Sequence, residues 1–143
     1  MPRPDPTLLS PSRYPFAFRS DPRFGDLDVN LHINNVAMAE LLEDARVRFH
    51  HASGYRDVLQ GLRSVMASVS IDFLGEGAYP DPVEIHVGIE AVGRSSHTLA
   101  QVAIQGGRPL AFARTVQVTV GPEGPVPLPE AFASATADWM LRS

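Results

Sequence analysis

The segment FGDLDVNLHINNVAMAELLEDAR, residues 24–46, joins a dense polar run to the start of an amphipathic helix. Within its first half, residues 26–35 hold two Asp, three Asn and one His. Further on, apolar residues recur at helical spacing on one face: Met38, Leu41, Leu42, Ala45 and Phe49. The pattern predicts a long helix that is capped by Asn34 or Asn35 and ends near Gly54.

Runs of alternating apolar residues flank the predicted helix and predict β-strands. One run, Arg13–Arg19, precedes the helix, and four follow it at 64–73, 83–91, 97–104 and 110–120. In the 64–73 run the predicted apolar face is made by Val65, Ala67, Val69, Ile71 and Phe73. Turn-like separators such as Gly106-Gly107 join the later runs. The order predicts an α+β fold, with one long helix lying across a five-stranded antiparallel sheet.

The two ends of the chain are predicted to differ in organisation. Residues 1–12 are Pro-rich and are expected to form a flexible arm, without the apolar core of a signal peptide. Residues 13–143 are expected to form a single domain, which closes with a short helix that begins near Pro129 and is anchored by Phe132 and Trp139. Open edge strands need covering, so we expect an oligomer formed by edge pairing.

Composition narrows the possible functions of the 143 residues. The net charge of -4 argues against binding to nucleic acid or to an anionic membrane. The absence of Cys excludes thiol nucleophiles, zinc–thiolate sites and disulfides. No apolar run is long enough to span a bilayer, so a cytoplasmic protein is the default expectation.

The polar run has three possible interpretations, of which calcium binding is the weakest. A calcium loop beginning at Asp26 would need Gly at its sixth position and Glu at its twelfth, where this chain has Leu31 and Ala37. Helix capping explains only one of the polar residues. The third interpretation is acid–base chemistry, with Asp28 as base or nucleophile and Asn30 and His32 as polar helpers beside a helix N-terminus that favours negative charge. In an extended segment these three side chains would share one side.

The segment at residues 24–46 resembles the signature of hotdog-fold thioesterases. The bacterial acyl-CoA branch, which includes the 4-hydroxybenzoyl-CoA thioesterase type, typically reads D-x-D-x-x-G-H-[VI]-N-N. The plant acyl-carrier-protein thioesterases are closer, with D-L-D-V-N-x-H-V-N-N-V. Leu31 departs from both patterns, which have Gly or Gln there, and Met38 stands where an aromatic residue is common.

The resemblance implies a hotdog fold and a site at a subunit interface. Asp28 matches the catalytic carboxylate, and Asn30 and His32 match the residues that join it in the plant-type enzymes. Backbone N–H groups of Asn35 and Val36 would face the thioester carbonyl. The substrates would be acyl thioesters of coenzyme A or acyl carrier protein, with no metal or other cofactor, and the assembly a homodimer or homotetramer.

Two further sequence features bear on the predicted site. The turn Arg94-Ser95-Ser96 is a candidate for binding a phosphate or pantetheine group. Glu76 lies near the position of a further acidic residue in the plant-type enzymes, but we do not include it in the predicted site. The predicted function is acyl-thioester hydrolysis; the alternatives are a non-catalytic acyl-binding module and a hydratase or dehydratase on the same fold.

Overall fold

The computed structural model describes residues 3–143 and contains one long helix, α1, packed against one antiparallel sheet. The helix covers Asn35–Ala52. Five strands make up most of the sheet: β1 Phe16–Ser20, β2 Arg63–Phe73, β3 Val83–Val92, β4 Ser96–Gln105 and β5 Arg108–Gly121. Three short elements complete the fold: α2 Tyr55–Leu59, β6 Gly124–Pro125 and α3 Phe132–Ala135.

The helix and the sheet meet in the main core. Leu42, Ala45 and Phe49 of α1 are fully buried against apolar side chains of β3 and β4 such as Ile85 and Leu99. Burying a Leu, Ile or Phe side chain stabilises a fold by about 1.5–3 kcal/mol. This packing confirms the predicted hotdog architecture, a single helix wrapped by a sheet with strand order β1-β3-β4-β5-β2.

The edge strand β2 differs from its predicted face pattern. Its pairing with β5 shifts register between Met66 and Ser68, so Ala67 is an extra residue in the ladder. Because of this bulge, Ser64 and Met66 share the helix-facing side with the later apolar residues of the strand, and the assignment of Val65 to that side was wrong. The hydrogen bond from the Ser64 hydroxyl to Gln117 of β5 agrees with this register.

Both ends of α1 are fixed by residues that the sequence identified. The side chain of Asn34 accepts a hydrogen bond from the Ala37 backbone N–H at 2.7 Å, so Asn34 is the N-cap. Beyond the C-cap Ser53, Gly54 has a φ of 68°, the left-handed conformation that terminates many helices.

The N-terminal segment lies on the outer face of the sheet. Two short 3-10 helices cover Pro6–Leu9 and Pro11–Arg13, and Leu8 packs with Tyr14 and Phe112. The Tyr14 hydroxyl donates to the Leu8 carbonyl at 2.7 Å. Flexibility of the predicted arm at residues 1–12 stays a prediction, and residues 1–2 lie outside the described range.

Candidate active site

The polar run between β1 and α1 folds into a compact loop anchored by Asp26. This carboxylate is only 4% exposed and accepts hydrogen bonds from the backbone and the guanidinium of Arg23 at 2.8 and 2.9 Å. Burial raises the pKa of Asp26, but the hydrogen bonds from Arg23 outweigh it and hold the pKa below its ordinary value. The Asp26 carbonyl also accepts a hydrogen bond from the Asn34 N–H. Asp26 is therefore structural.

Asp28 begins a tight turn within this loop. One carboxylate oxygen, Oδ1, accepts hydrogen bonds from the backbone N–H groups of Asn30 and His32 at 2.8 and 3.1 Å. The Leu31 N–H donates to the Asp28 carbonyl, which closes the turn. The prediction of an extended segment was therefore wrong, because the Asp28 side chain binds backbone groups and folds the chain back on itself.

Leu31 adopts a conformation that normally suits glycine. Its φ is 62°, in the left-handed region, where a side chain costs about 1–2 kcal/mol. This is the position at which the bacterial pattern has Gly. In this chain the turn is formed with a bulkier residue, which is 67% exposed.

The predicted catalytic side chains come together despite the turn. Asp28, Asn30 and His32 line one cavity of about 350 Å³. Its other walls come from the start of α1, the end of β2 and the loop after β2, and include Asn35, Met38, Phe73 and Glu76. Met38 is 4% exposed and forms an apolar part of the wall. The cavity thus combines two carboxylates, those of Asp28 and Glu76, with further polar residues and an apolar surface.

Glu76 is the residue that the predicted site missed. Its carboxylate Oε2 lies 3.2 Å from Nε2 of His32. Gln105, only 4% exposed, holds the loop behind Glu76 by accepting from the Ala78 N–H and donating to two carbonyls, those of Ala78 and Asp81. The only sequence signal for this contact was the acidic residue near that position in the plant-type enzymes.

The N-terminus of α1 closes one side of the cavity. The Asn34 side chain and carbonyl satisfy the N–H groups of Ala37 and Met38. No acceptor among residues 3–143 satisfies the N–H groups of Asn35 and Val36, as expected for the first positions of a helix. The Asn35 side chain lines the cavity, whereas Val36 lines a neighbouring depression beside Asp26.

The turn Arg94-Ser95-Ser96 lies away from this cavity. The Ser95 carbonyl accepts a hydrogen bond from Thr119, near the end of β5, and the Arg94 carbonyl accepts one from Leu128. Phe73 and the cavity lie at the other end of the sheet, where β2 pairs with Ala111 near the start of β5. Within one chain, the structure therefore does not bring this turn to the predicted catalytic residues.

Metal-binding clusters and membrane-spanning helices are both absent from the part of the chain that the structure describes. Residues 3–143 contain no group of three or more His, Asp or Glu side chains that could hold a metal ion. No helix in that range is long and apolar enough to cross a membrane.

Comparisons with known proteins agree with this fold. The model of the thioesterase-like superfamily matches residues 22–136. A thioesterase from Thermus thermophilus, solved with coenzyme A and Zn, is 30% identical, with 87% of this chain and 92% of that chain covered and a TM-score of 0.77.

Two more distant structures share the fold. A thioesterase superfamily protein from Jannaschia sp. CCS1 is 22% identical, with 96% of this chain and 92% of that chain covered and a TM-score of 0.75. A 1,4-dihydroxy-2-naphthoyl-CoA thioesterase from Synechocystis is 18% identical, with 86% and 96% covered and a TM-score of 0.74. No curated protein sequence matches the chain. The similarities support acyl-thioester hydrolysis as the general activity, and the chain belongs to the thioesterase-like superfamily.

Proposed function

We propose that the protein hydrolyses acyl thioesters of coenzyme A or of acyl carrier protein to a free acid and a thiol, with Asp28 as general base or nucleophile. The observation that carries this proposal is the shared cavity of Asp28 and the helix N-terminus. A base and a site for developing negative charge are the two features that attack on a thioester carbonyl requires.

In the base mechanism, Asp28 takes a proton from water while the water oxygen attacks the carbonyl carbon. Both backbone hydrogen bonds to Asp28 end on Oδ1, so Oδ2 keeps its lone pairs for that proton. The resulting oxyanion is stabilised by the N–H groups of Asn35 and Val36 and by the helix dipole. The carbon–sulfur bond then breaks, and the thiolate leaves and takes up a proton.

In the nucleophilic mechanism, the Asp28 carboxylate attacks the carbonyl carbon and the carbon–sulfur bond breaks. The thiolate leaves and takes up a proton, and water then cleaves the resulting acyl anhydride to the free acid and the Asp28 carboxylate. Both routes use the same carboxylate and release the same products. Asn30 and His32 orient the reacting groups in either case. His32 is paired with Glu76, whose carboxylate fixes the orientation of the imidazole.

We further propose that the active assembly is a homodimer or a homotetramer built on β2. One edge of this strand has no strand partner in the described chain. Its helix-facing side chains Met66, Val69 and Phe73 are 50%, 42% and 48% exposed, which is unusual for an apolar strand face. Phe73 also lines the cavity of Asp28, so a second copy on this edge would cover the site.

The dimer gives the Arg94-Ser95-Ser96 turn a possible role. When two copies of β2 pair antiparallel, the start of one strand lies beside the end of the other. The turn of one subunit would then lie at the same end of the joined sheet as Asp28 of its partner. There it would contact the phosphate or pantetheine part of the carrier.

The proposal is tested with a panel of acyl-CoA and acyl-carrier-protein thioesters of different chain length, with release of free thiol as the readout. We expect turnover with at least one class of acyl thioester. A ligand that raises the melting temperature without thiol release from any member of the panel would instead identify a non-catalytic acyl-binding module.

A further inference from the structure

A second cavity, of about 470 Å³, lies at the opposite end of α1 from Asp28. It is enclosed by the end of α1, the short helix α2, the turn that follows α2 and the first residues of β2. An 18-residue helix is about 27 Å long, so this cavity is separate from the candidate active site of the same chain. Its volume is within the range of small-molecule sites.

Aromatic, aliphatic and polar side chains all line the cavity. The ring of Tyr55 stacks on His50 with centroids 4.3 Å apart and an angle of 10° between the planes. Leu59 of α2 adds an aliphatic wall. At the floor, the Ser64 hydroxyl donates to Oε1 of Gln117 at 3.2 Å. A flat apolar body therefore suits the walls, and a polar substituent suits the floor.

Unsatisfied polar atoms concentrate in this part of the fold. Nε2 of His50 is buried without a hydrogen-bond partner in residues 3–143. Both ring nitrogens of His97 are also buried without a hydrogen-bond partner in that range. The His97 ring packs edge-on against Tyr55, with the ring centroids 5.0 Å apart. Buried polar atoms are normally hydrogen-bonded, so such a concentration calls for an explanation.

Positive charge surrounds the opening. Arg56 and Arg63 both line the cavity and are exposed, and neither forms an ion pair within the described chain. The charged groups that act on the buried His50 are Arg46, Arg56 and His51, and none of them is acidic. Burial, assisted by these cations, lowers the pKa of His50 to about 4, so His50 is neutral at pH 7. The two arginines thus supply the charge, in a chain whose net charge is -4.

We propose that this cavity binds a small monocarboxylate with an aromatic or compact apolar body. The carboxylate would pair with Arg56 and Arg63 at the opening, and the body would lie against Tyr55 and Leu59. Guanidinium groups bind carboxylates through charge-assisted, often bidentate, hydrogen bonds.

The site is formed by a single chain and does not rest on thioester hydrolysis. Arg63, which lines the cavity, is the first residue of β2. In the antiparallel dimer proposed above, the start of β2 in one subunit lies beside the end of β2 in its partner, so the cavity would lie there as well. A carboxylic acid is also a product of the proposed reaction. Binding of that acid in this cavity would therefore link the concentration of free acid to the active site of the partner subunit.

The test is titration of the full chain with benzoate, followed by amide and arginine side-chain resonances in NMR spectra. We expect saturable shifts at residues 61–64 and at Gln117. Benzamide, which has the same shape without the charge, should bind at least about tenfold more weakly, the equivalent of one charge-assisted hydrogen bond. Arg56→Gln and Arg63→Gln should each weaken benzoate binding by about tenfold. Arg108→Gln, which changes another exposed arginine, is the matched control and should leave it unchanged.

Three results would overturn the proposal. Benzoate shifts confined to the loop around Asp28 would move the site to the other cavity. If the Arg56→Gln, Arg63→Gln double variant bound benzoate as tightly as the wild type does, the proposed contact between the carboxylate and the two arginines would be excluded. Tighter binding of adenosine 3′,5′-bisphosphate than of benzoate, with shifts at the same residues, would make the site a nucleotide site. Because both arginines are exposed, the variants are expected to fold, which equal melting temperatures would verify.

Discussion

Nε2 of His32 lies 3.2 Å from Oε2 of Glu76, a contact that joins the catalytic loop to the loop after β2. Neither side chain is deeply buried, so the contact by itself contributes little stability. The contact matters for position, because it fixes the His32 imidazole in the wall of the cavity that Asp28 also lines.

If Glu76 acts through His32, the two residues should not contribute independently to turnover. We expect Glu76→Gln to lower kcat/KM by about tenfold, within the coupling range of contacting residues. His32→Gln should lower it further, and the double variant should be no slower than His32→Gln alone. Steady-state rates for the three variants complete this double-mutant cycle. Additive losses would show that Glu76 acts without His32.

The cap at Asn34 should affect both stability and turnover. Asn34→Ala removes the acceptor for the Ala37 N–H and should cost about 1 kcal/mol of unfolding free energy. It also loosens the helix start that presents the Asn35 and Val36 N–H groups, so kcat should fall. Asn34→Asp keeps an acceptor oxygen and is the matched control, expected to retain most of both properties. Urea denaturation and kcat measured on the same samples would test this prediction. An Asn34→Ala protein with normal kcat would show that the cap does not contribute to catalysis.

Periodicity was sufficient to predict the helix and the strands, and the residue preferences of helix caps narrowed the N-cap to Asn34 or Asn35, of which the structure has Asn34. Met38, Leu42, Ala45 and Phe49 recur at helical spacing, and all four are buried in the structure. It failed at β2, because a bulge inserts one residue and exchanges the two faces of the strand. A bulge has no fixed composition, so alternation alone extended the wrong register through Val65.

The candidate site was predictable in its residues but not in its geometry. The local motif identified Asp28, Asn30 and His32, although their side chains meet through a turn and not through an extended strand. Glu76 was not predictable from local spacing, because its contact depends on how Gln105 holds a separate loop. The stacking of His50 on Tyr55 was likewise not predictable from helical spacing, because it forms only after the chain reverses at Gly54.

Acid should destabilise the fold through the two buried histidines. Burial lowers the pKa of His97 and of His50 to about 4, below the ordinary value of 6.5 that an unfolded chain retains. Between these values the unfolded state binds protons that the folded state does not, so stability is complete above pH 6.5 and falls as the pH drops toward 4. His97→Leu should reduce this loss by an amount on the order of 3 kcal/mol. Denaturant unfolding at pH 7 and pH 4.5 compares the two proteins; equal losses would refute the assignment to His97.

The proposed dimer should depend on the exposed face of β2. Val69→Lys places a charge among the apolar side chains that a second copy would cover, and it should shift the protein to a monomer at micromolar concentration. Val92→Lys changes another exposed valine, 37% accessible and outside β2, and should leave the assembly intact. Sedimentation equilibrium measures both variants. A wild-type chain that is monomeric and active would contradict both the proposed pairing through β2 and the proposed active site at the subunit interface.

The central claim is that Asp28 performs the chemistry while Asp26 supports the loop, and thiol release by Asp28→Asn and Asp26→Asn tests it most directly. Asp28→Asn should lower kcat by at least about a hundredfold, the scale of a lost general base, with an unchanged melting temperature. Asp26→Asn weakens buried charge-assisted hydrogen bonds and should mainly lower the melting temperature, by the equivalent of about 1–3 kcal/mol. Near-wild-type turnover of a folded Asp28→Asn protein would contradict the account.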